Sequence, residues 1–227
     1  MLIEPDRDAA RDALDHALIA AARARIAAGA RTTPDAEAIA LREQLADIAP
    51  DEVPLLRALL GRLEAATAPP LTIWGGVART LAADRFGLSA RLATDPETAL
   101  TAVRNGHRAL IDLTGDRPWW GRLLAQPELR VTAALPDDRH GRPLALMVDR
   151  RPSGPTGDDR TFWVSDSGQG DAKIVTALGQ AGLAATPLIA AGGLKLFILA
   201  GYVQADDSRL NGAPGTLAGI IGAAPVF

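Results

Sequence analysis

The chain changes its grammar at "TAPPL", residues 67–71. Before that point apolar residues recur at helical spacing, and β-branched and aromatic residues are few. After it, short apolar runs alternate with helical patterns. A proline pair stops a helix, and a switch of hydrophobic period from 3.6 to 2 marks the passage from helices to strands. The sequence therefore predicts an α+β chain in three parts: a helical segment over 1–67, an α/β region over 71–152 and a further αβ unit over 158–227.

Three helices are expected in the first part. One runs from about Pro5 to Ala28 and stops at Gly29. "TTPD" opens the second, with Thr33 as N-cap and Pro34 in the first turn; Ala38, Leu41, Leu45 and Ile48 share one of its faces. "PDEVP" opens the third, which carries Leu55, Leu56, Leu59, Leu60 and Leu63. In the second part "LTIW", "ARLAT", "ALIDLT", "RVTAAL" and "PLALMV" read as strands. "GVARTLAADRFG", "PETALTAVRNG" and "RPWWGRLLAQ" read as helices between them. The polar stretch "DRRPSGPTGDD" links this region to the third part. There the order strand, helix, strand, strand, short polar segment, strand suggests a ferredoxin-like βαββαβ unit with a very short second helix.

With 24 Lys+Arg against 27 Asp+Glu, the net charge of −3 gives no basic footprint for nucleic acid. Cysteine is absent, which excludes disulfides and thiolate chemistry and fits a reducing, cytoplasmic setting. No stretch has the form of a signal peptide or approaches the roughly 20 apolar residues of a membrane span. No cofactor or metal is expected, since His16, His107 and His140 are scattered without ligand spacing.

Within the first helix, Leu14, Leu18, Ala21 and Arg25 fall within about 60° of one another, so Arg25 continues an apolar stripe. Arg7 lies at nearly the same angle and Arg11 about 40° away. Arg7 and Arg25 are separated by roughly 27 Å along the helix, too far for one small ligand. If both serve one anion, they come from two antiparallel copies, which predicts a homodimer with two equivalent sites. The alternative is that each arginine covers apolar surface with its stem and reaches water with its head.

The stretch "ALDHALIAAARARIA" (13–27) resembles the first helix of the all-helical chorismate mutases, in which Asp15, Leu18, Ile19 and Arg25 meet the family spacing. "LREQL" (41–45) resembles the arginine–glutamate pair of the family's second helix. "WGGVARTLAADRFG", "PWWGRLLAQPELRV", "PTGDDRTFWV" and "GGLKLFILAGYVQADDSRL" are similar to the C-terminal part of alphaproteobacterial chorismate mutase-like proteins, with a prephenate dehydratase-like region and an ACT-like end. The resemblance implies an isomerase of aromatic amino-acid biosynthesis that converts chorismate, a dicarboxylate, to prephenate. It implies that Arg25 holds one carboxylate, that Arg7 or Arg11 of a second subunit holds the other, that Arg42 orients the substrate and that Glu43 accepts its ring hydroxyl. Such a rearrangement rests on positioning and on fixed donors at the ether oxygen.

The chain departs from the family in four places. Asp8 stands where the first arginine is expected. The family's lysine is missing, since the only lysines are Lys173 and Lys195, and Arg31 is taken as the replacement cation. Ala145 and Leu146 stand where a dehydratase carries polar residues, and "TPLIAAGG" (186–193) replaces the phenylalanine-binding stretch of an ACT domain. A second reading follows: an inactive relative that binds a small aromatic acid or a partner enzyme. Elsewhere, "WGG" (74–76) offers a strand-to-helix turn whose amides suit an anion, although a tight glycine turn is its simpler role. Trp119 and Trp120 read as packing residues. "DDSRL" (206–210) reads as a helix start, and Ser165 and Ser167 lack a histidine at catalytic spacing.

Overall fold

A computed structural model of the chain describes residues 8–227. Its first helix, α1 (Ala9–Ala27), starts later than the apolar pattern suggests. Asp8 adopts an extended backbone and accepts hydrogen bonds from Ala10 N and Arg11 N, satisfying two amides that the first turn leaves free. The aspartate at the family's arginine position is thus a helix cap. Arg7 lies outside the described residues. Thr33 is extended ahead of α2 (Pro34–Leu45), which carries proline in its first turn; α3 (Val53–Ala65) follows.

The remaining elements are β1 (Leu71–Trp74), α4 (Gly76–Phe86), β2 (Arg91–Leu92), α5 (Pro96–Arg104), β3 (Arg108–Asp112), β4 (Arg130–Leu135), β5 (Ala145–Asp149), β6 (Asp159–Ser165), α6 (Asp171–Gln180), β7 (Ala185–Ala191), β8 (Leu194–Ala200) and β9 (Ala218–Pro225). The segment expected as a helix around the tryptophan pair is a 3-10 helix, Trp119–Ala125. Pro118 precedes it, and the Trp119 indole donates to Asp112 O at 2.8 Å, which holds the segment against the end of β3.

Among the described residues all nine strands form one mixed sheet in the order β2-β1-β3-β5-β4-β9-β6-β8-β7. β1 runs parallel to β2 and β3, and the β3–β5–β4 pairs are antiparallel. The sequence segments on either side of the polar link meet where β4 and β9 pair in parallel through Val131 and Gly222. Gly222 has φ +139°, and a Cβ there would stand 2.3 Å from Val131 O, so only glycine permits this approach.

Alternation along the strands gives the sheet two apolar faces. Ala109, Ile111, Leu146, Val148, Phe162 and Val164 face α5 and the 3-10 helix, where Trp119, Trp120 and Leu123 fill a core common to both halves. On the opposite face two separate cores form. Leu71, Ile73, Leu110 and Met147 pack against Ala78, Ala82 and Phe86 of α4. Trp163, Phe197 and Leu199 pack against Ile174 and Leu178 of α6. The space between these two cores is where α2 lies over the sheet.

Candidate functional site: an arginine-lined cleft

The cleft under α2 has a volume of about 100 Å³. Its floor is the sheet, with Thr132, Ala133, Met147 and Asp149, and its walls come from α2, α3 and the end of α4. Five arginines line it: Arg25, Arg31, Arg85, Arg108 and Arg151. Four carboxylates stand among them, Glu37, Glu64, Asp137 and Asp149. The charges sort into three groups.

At the mouth, Glu37 on the first turn of α2 faces two guanidiniums. Its Oε2 lies 3.4 Å from Arg25 Nη2 and 3.3 Å from Arg31 Nη1, while Oε1 accepts the Arg31 amide at 2.5 Å. Arg25 Nη1 also donates to Gly29 O at 2.6 Å, closing the end of α1 with a cation where the helix dipole favours one. On the floor, Asp149 accepts from Arg151 Nε at 2.9 Å and Nη2 at 2.7 Å, and from the amides of Arg150 and Arg151. This pair is self-contained.

The third group is the innermost. Arg108 opens β3, is 3% exposed, and donates Nη1 to Glu64 Oε1 at 2.6 Å. Arg85, in the last turn of α4, is 9% exposed; its Nε lies 3.9 Å from Asp137 Oδ2. Arg57 pairs with the same aspartate through Oδ1. The Phe86 ring lies beneath both inner cations, 4.9 Å from the Arg108 guanidinium carbon and 5.8 Å from that of Arg85. Gly61 lets α3 approach: a Cβ there would stand 2.2 Å from Arg85 O and 2.6 Å from Arg85 Nη1. Burial, helped by the neighbouring cations Arg57 and Arg108, pulls Arg85 down to about 10. Burial lowers Arg57 as well.

Three buried donors of this group have no acceptor, Arg57 Nε, Arg85 Nη1 and Arg108 Nε. An unpaired polar group in the interior costs on the order of 1–3 kcal/mol, and more when charged. Of these three arginines, Arg85 and Arg108 line the cleft, where such donors suit an anion.

The sequence-predicted residues divide. Arg25 and Arg31 are on the cleft wall. Arg11 is exposed on α1 and pairs with Asp15 at 3.4 Å. Glu43 is exposed and does not line the cleft. Arg42 is committed elsewhere: it donates to Thr156 O, to Thr156 Oγ1 at 3.1 Å, to Asp158 O at 3.1 Å and to Val226 O at 2.9 Å, with its guanidinium over the Phe227 ring. It fastens α2 to the loop before β6 and to the end of β9. Arg85, Arg108, Glu64 and Asp137 escaped the sequence reading. A charged residue opening the run "RALID" was the available sign, because β3 is buried throughout.

The "WGG" turn is not an open anion site. Asp112 at the end of β3 fills it, accepting the Val77 amide at 3.0 Å through Oδ2 and the Thr114 amide at 2.7 Å through Oδ1. Gly75, at φ +97°, is required there, since a Cβ would stand 2.2 Å from Asp112 Cβ. Among the described residues no group of three or more His, Cys, Asp or Glu side chains is placed to hold a metal ion. None of the described helices is long and apolar enough to cross a membrane.

No family model matches the sequence. No curated protein matches it. Among solved structures the chain is similar to one described as GqqA, a novel type of quorum quenching acylase, at 17% sequence identity and a TM-score of 0.48, over 69% of this chain and 95% of that one. At that level nothing about the cleft's chemistry follows from the likeness.

Proposed function

We propose that the chain binds a small organic acid in the cleft under α2, as a non-catalytic relative of the chorismate mutase-like proteins that its sequence resembles. The observation that carries this reading is the pair of buried, unpartnered guanidinium donors on Arg85 and Arg108. Apolar groups beside them, among them Leu60, Leu135 and Met147, suit a hydrophobic body attached to the anion. The order β9-β6-β8-β7, with α6 packed on one side, supports a ferredoxin-like, ACT-like unit over 158–227, its second helix reduced to the 3-10 turn Ser208–Leu210. Residues 71–152 are read as the prephenate dehydratase-like region.

Rearrangement of chorismate to prephenate is the second reading, and Arg25 and Arg31 on the cleft wall favour it. Against it stand the commitment of Arg42 to four oxygens on other elements and the exposure of Glu43. Purified protein incubated with chorismate and followed by near-ultraviolet absorbance separates the two. The proposal predicts no loss of absorbance beyond the uncatalysed rate, together with calorimetric binding of small carboxylates. Turnover that Arg25→Ala abolishes would restore the mutase.

Self-association is part of the same proposal. No residue of α1 is buried, and Leu14, Leu18, Ile19 and Ile26 are exposed along it, with Leu55 and Leu59 exposed on neighbouring α3. Helices in water are stabilised mostly by burying an apolar face. α1 is about 28 Å long, and its exposed stripe with Leu55 and Leu59 of α3 offers a self-complementary face to an antiparallel copy. The occupant of this face is taken to be a second copy of the chain.

A further inference from the structure

This inference rests on the reading of the cleft as an acid-binding site and narrows its ligand. The geometry points to a guest with one carboxylate and a single small apolar body, seated at Arg85 and Arg108, because Glu37 already occupies the Arg25–Arg31 pair as an internal second carboxylate.

The mouth and the interior are wired differently. Glu37 uses both of its oxygens on Arg25, Arg31 and the Arg31 amide, and it is held there by the first turn of α2. What positive charge remains at the mouth belongs to side chains 29% and 42% exposed, where water screens it. In the interior, three guanidiniums (Arg57, Arg85 and Arg108) meet two carboxylates (Glu64 and Asp137). Asp84 and Asp138 act on the same cations from further away, and the unpartnered donors Arg57 Nε, Arg85 Nη1 and Arg108 Nε lie in this group, in a place that water reaches poorly. One carboxylate supplies the acceptors that the Arg85 and Arg108 donors lack. A cleft of about 100 Å³ is smaller than the apolar cavity of about 150 Å³ that takes up benzene, so it holds a carboxylate and one edge of a ring and leaves no room for a larger body. Phe86, already beneath both cations, offers that ring a surface. A dicarboxylate finds no second free pole until Glu37 is removed.

The test uses the full chain and calorimetric titration with benzoate, with isophthalate, which adds a second carboxylate to the same ring, and with benzyl alcohol, which lacks the charge. Benzoate is expected to bind, isophthalate no more tightly than benzoate, and benzyl alcohol at least about tenfold more weakly, the scale of a charge-assisted hydrogen bond. In Glu37→Gln, isophthalate should gain about tenfold over benzoate as Arg25 and Arg31 become free. Arg108→Gln should weaken benzoate by at least about tenfold; should that variant not fold, Arg85→Met carries the same expectation. Tighter binding of isophthalate than of benzoate to the unaltered chain would overturn the one-carboxylate inference and leave the acid-binding cleft standing. An unchanged preference in Glu37→Gln would overturn it too. Failure of both acids to bind would overturn the reading of the cleft itself, and this inference with it.

Discussion

Arg85 is the residue whose charge is hardest to justify by stability alone. Its folded-state value, about 10, lies below the ordinary 12.5 of arginine, chiefly because burial disfavours the cation. The sign follows: the charged side chain opposes folding at neutral pH, and that opposition fades as pH rises through 10 toward 12.5. Asp137 retains Arg57 if Arg85 is lost. Arg85→Met should therefore leave the free protein as stable or about 1 kcal/mol more stable, raising the melting temperature by roughly 2–4 °C, while acid binding falls. A drop of several degrees would make Arg85 a structural residue. Binding to the unaltered chain should stay level with pH and decline above about 10 as Arg85 loses its proton. Arg42 makes the opposite case. Its removal strips donors from oxygens of Thr156, Asp158 and Val226, so Arg42→Ala should cost about 2–4 kcal/mol in a denaturant melt. Undiminished stability would return Arg42 to the list of ligand-binding candidates. Sequence spacing could place both Arg25 and Arg42 on helices, but the acceptors that claim Arg42 lie more than a hundred residues away. No local pattern carries that information.

Elements were more legible than partners. The helix start at Thr33, the break at the proline pair and the alternating strands all rest on local chemistry, and each appears where its residues ask for it. Two elements differ from the local pattern for identifiable reasons. α1 begins at Ala9 because Asp8 caps it, and the tryptophan segment tightens into a 3-10 helix because the Trp119 indole is tied to Asp112 O. The glycine turn after β1 offers its amides as expected, yet the aspartate that takes them comes from β3, a partner that only the topology supplies. α1 yields the prediction proper to this scale. With Leu14 at 68% and Leu18 at 56% exposure, its apolar stripe needs a cover. Sedimentation at micromolar concentration should show a dimer, and Leu14→Glu with Leu18→Glu should give a monomer whose acid affinity is unchanged, since neither residue lines the cleft. A monomeric unaltered chain would refute the assignment of this face to a second copy.

At the scale of the whole molecule, one sheet joins the α/β region to the C-terminal unit, and α2 lines a cleft with strand residues at the place where their cores part on one face. The sequence distinguishes these regions by period and composition. It does not reveal that β4 and β9 become neighbours through Gly222, and the cleft exists because of that junction and the helices laid across it. Its most informative charges come from α4 and from the first position of β3, neither of which stands out along the chain. Acid binding in the proposed cleft centres on Arg108 and Arg85. The most direct measurement follows the arginine Nε–H resonance of Arg108, assigned with Arg108→Lys, during titration with benzoate. A saturable downfield shift of that resonance, lost in the lysine variant, is the predicted result; a resonance that stays in place while benzoate binds elsewhere would contradict the account.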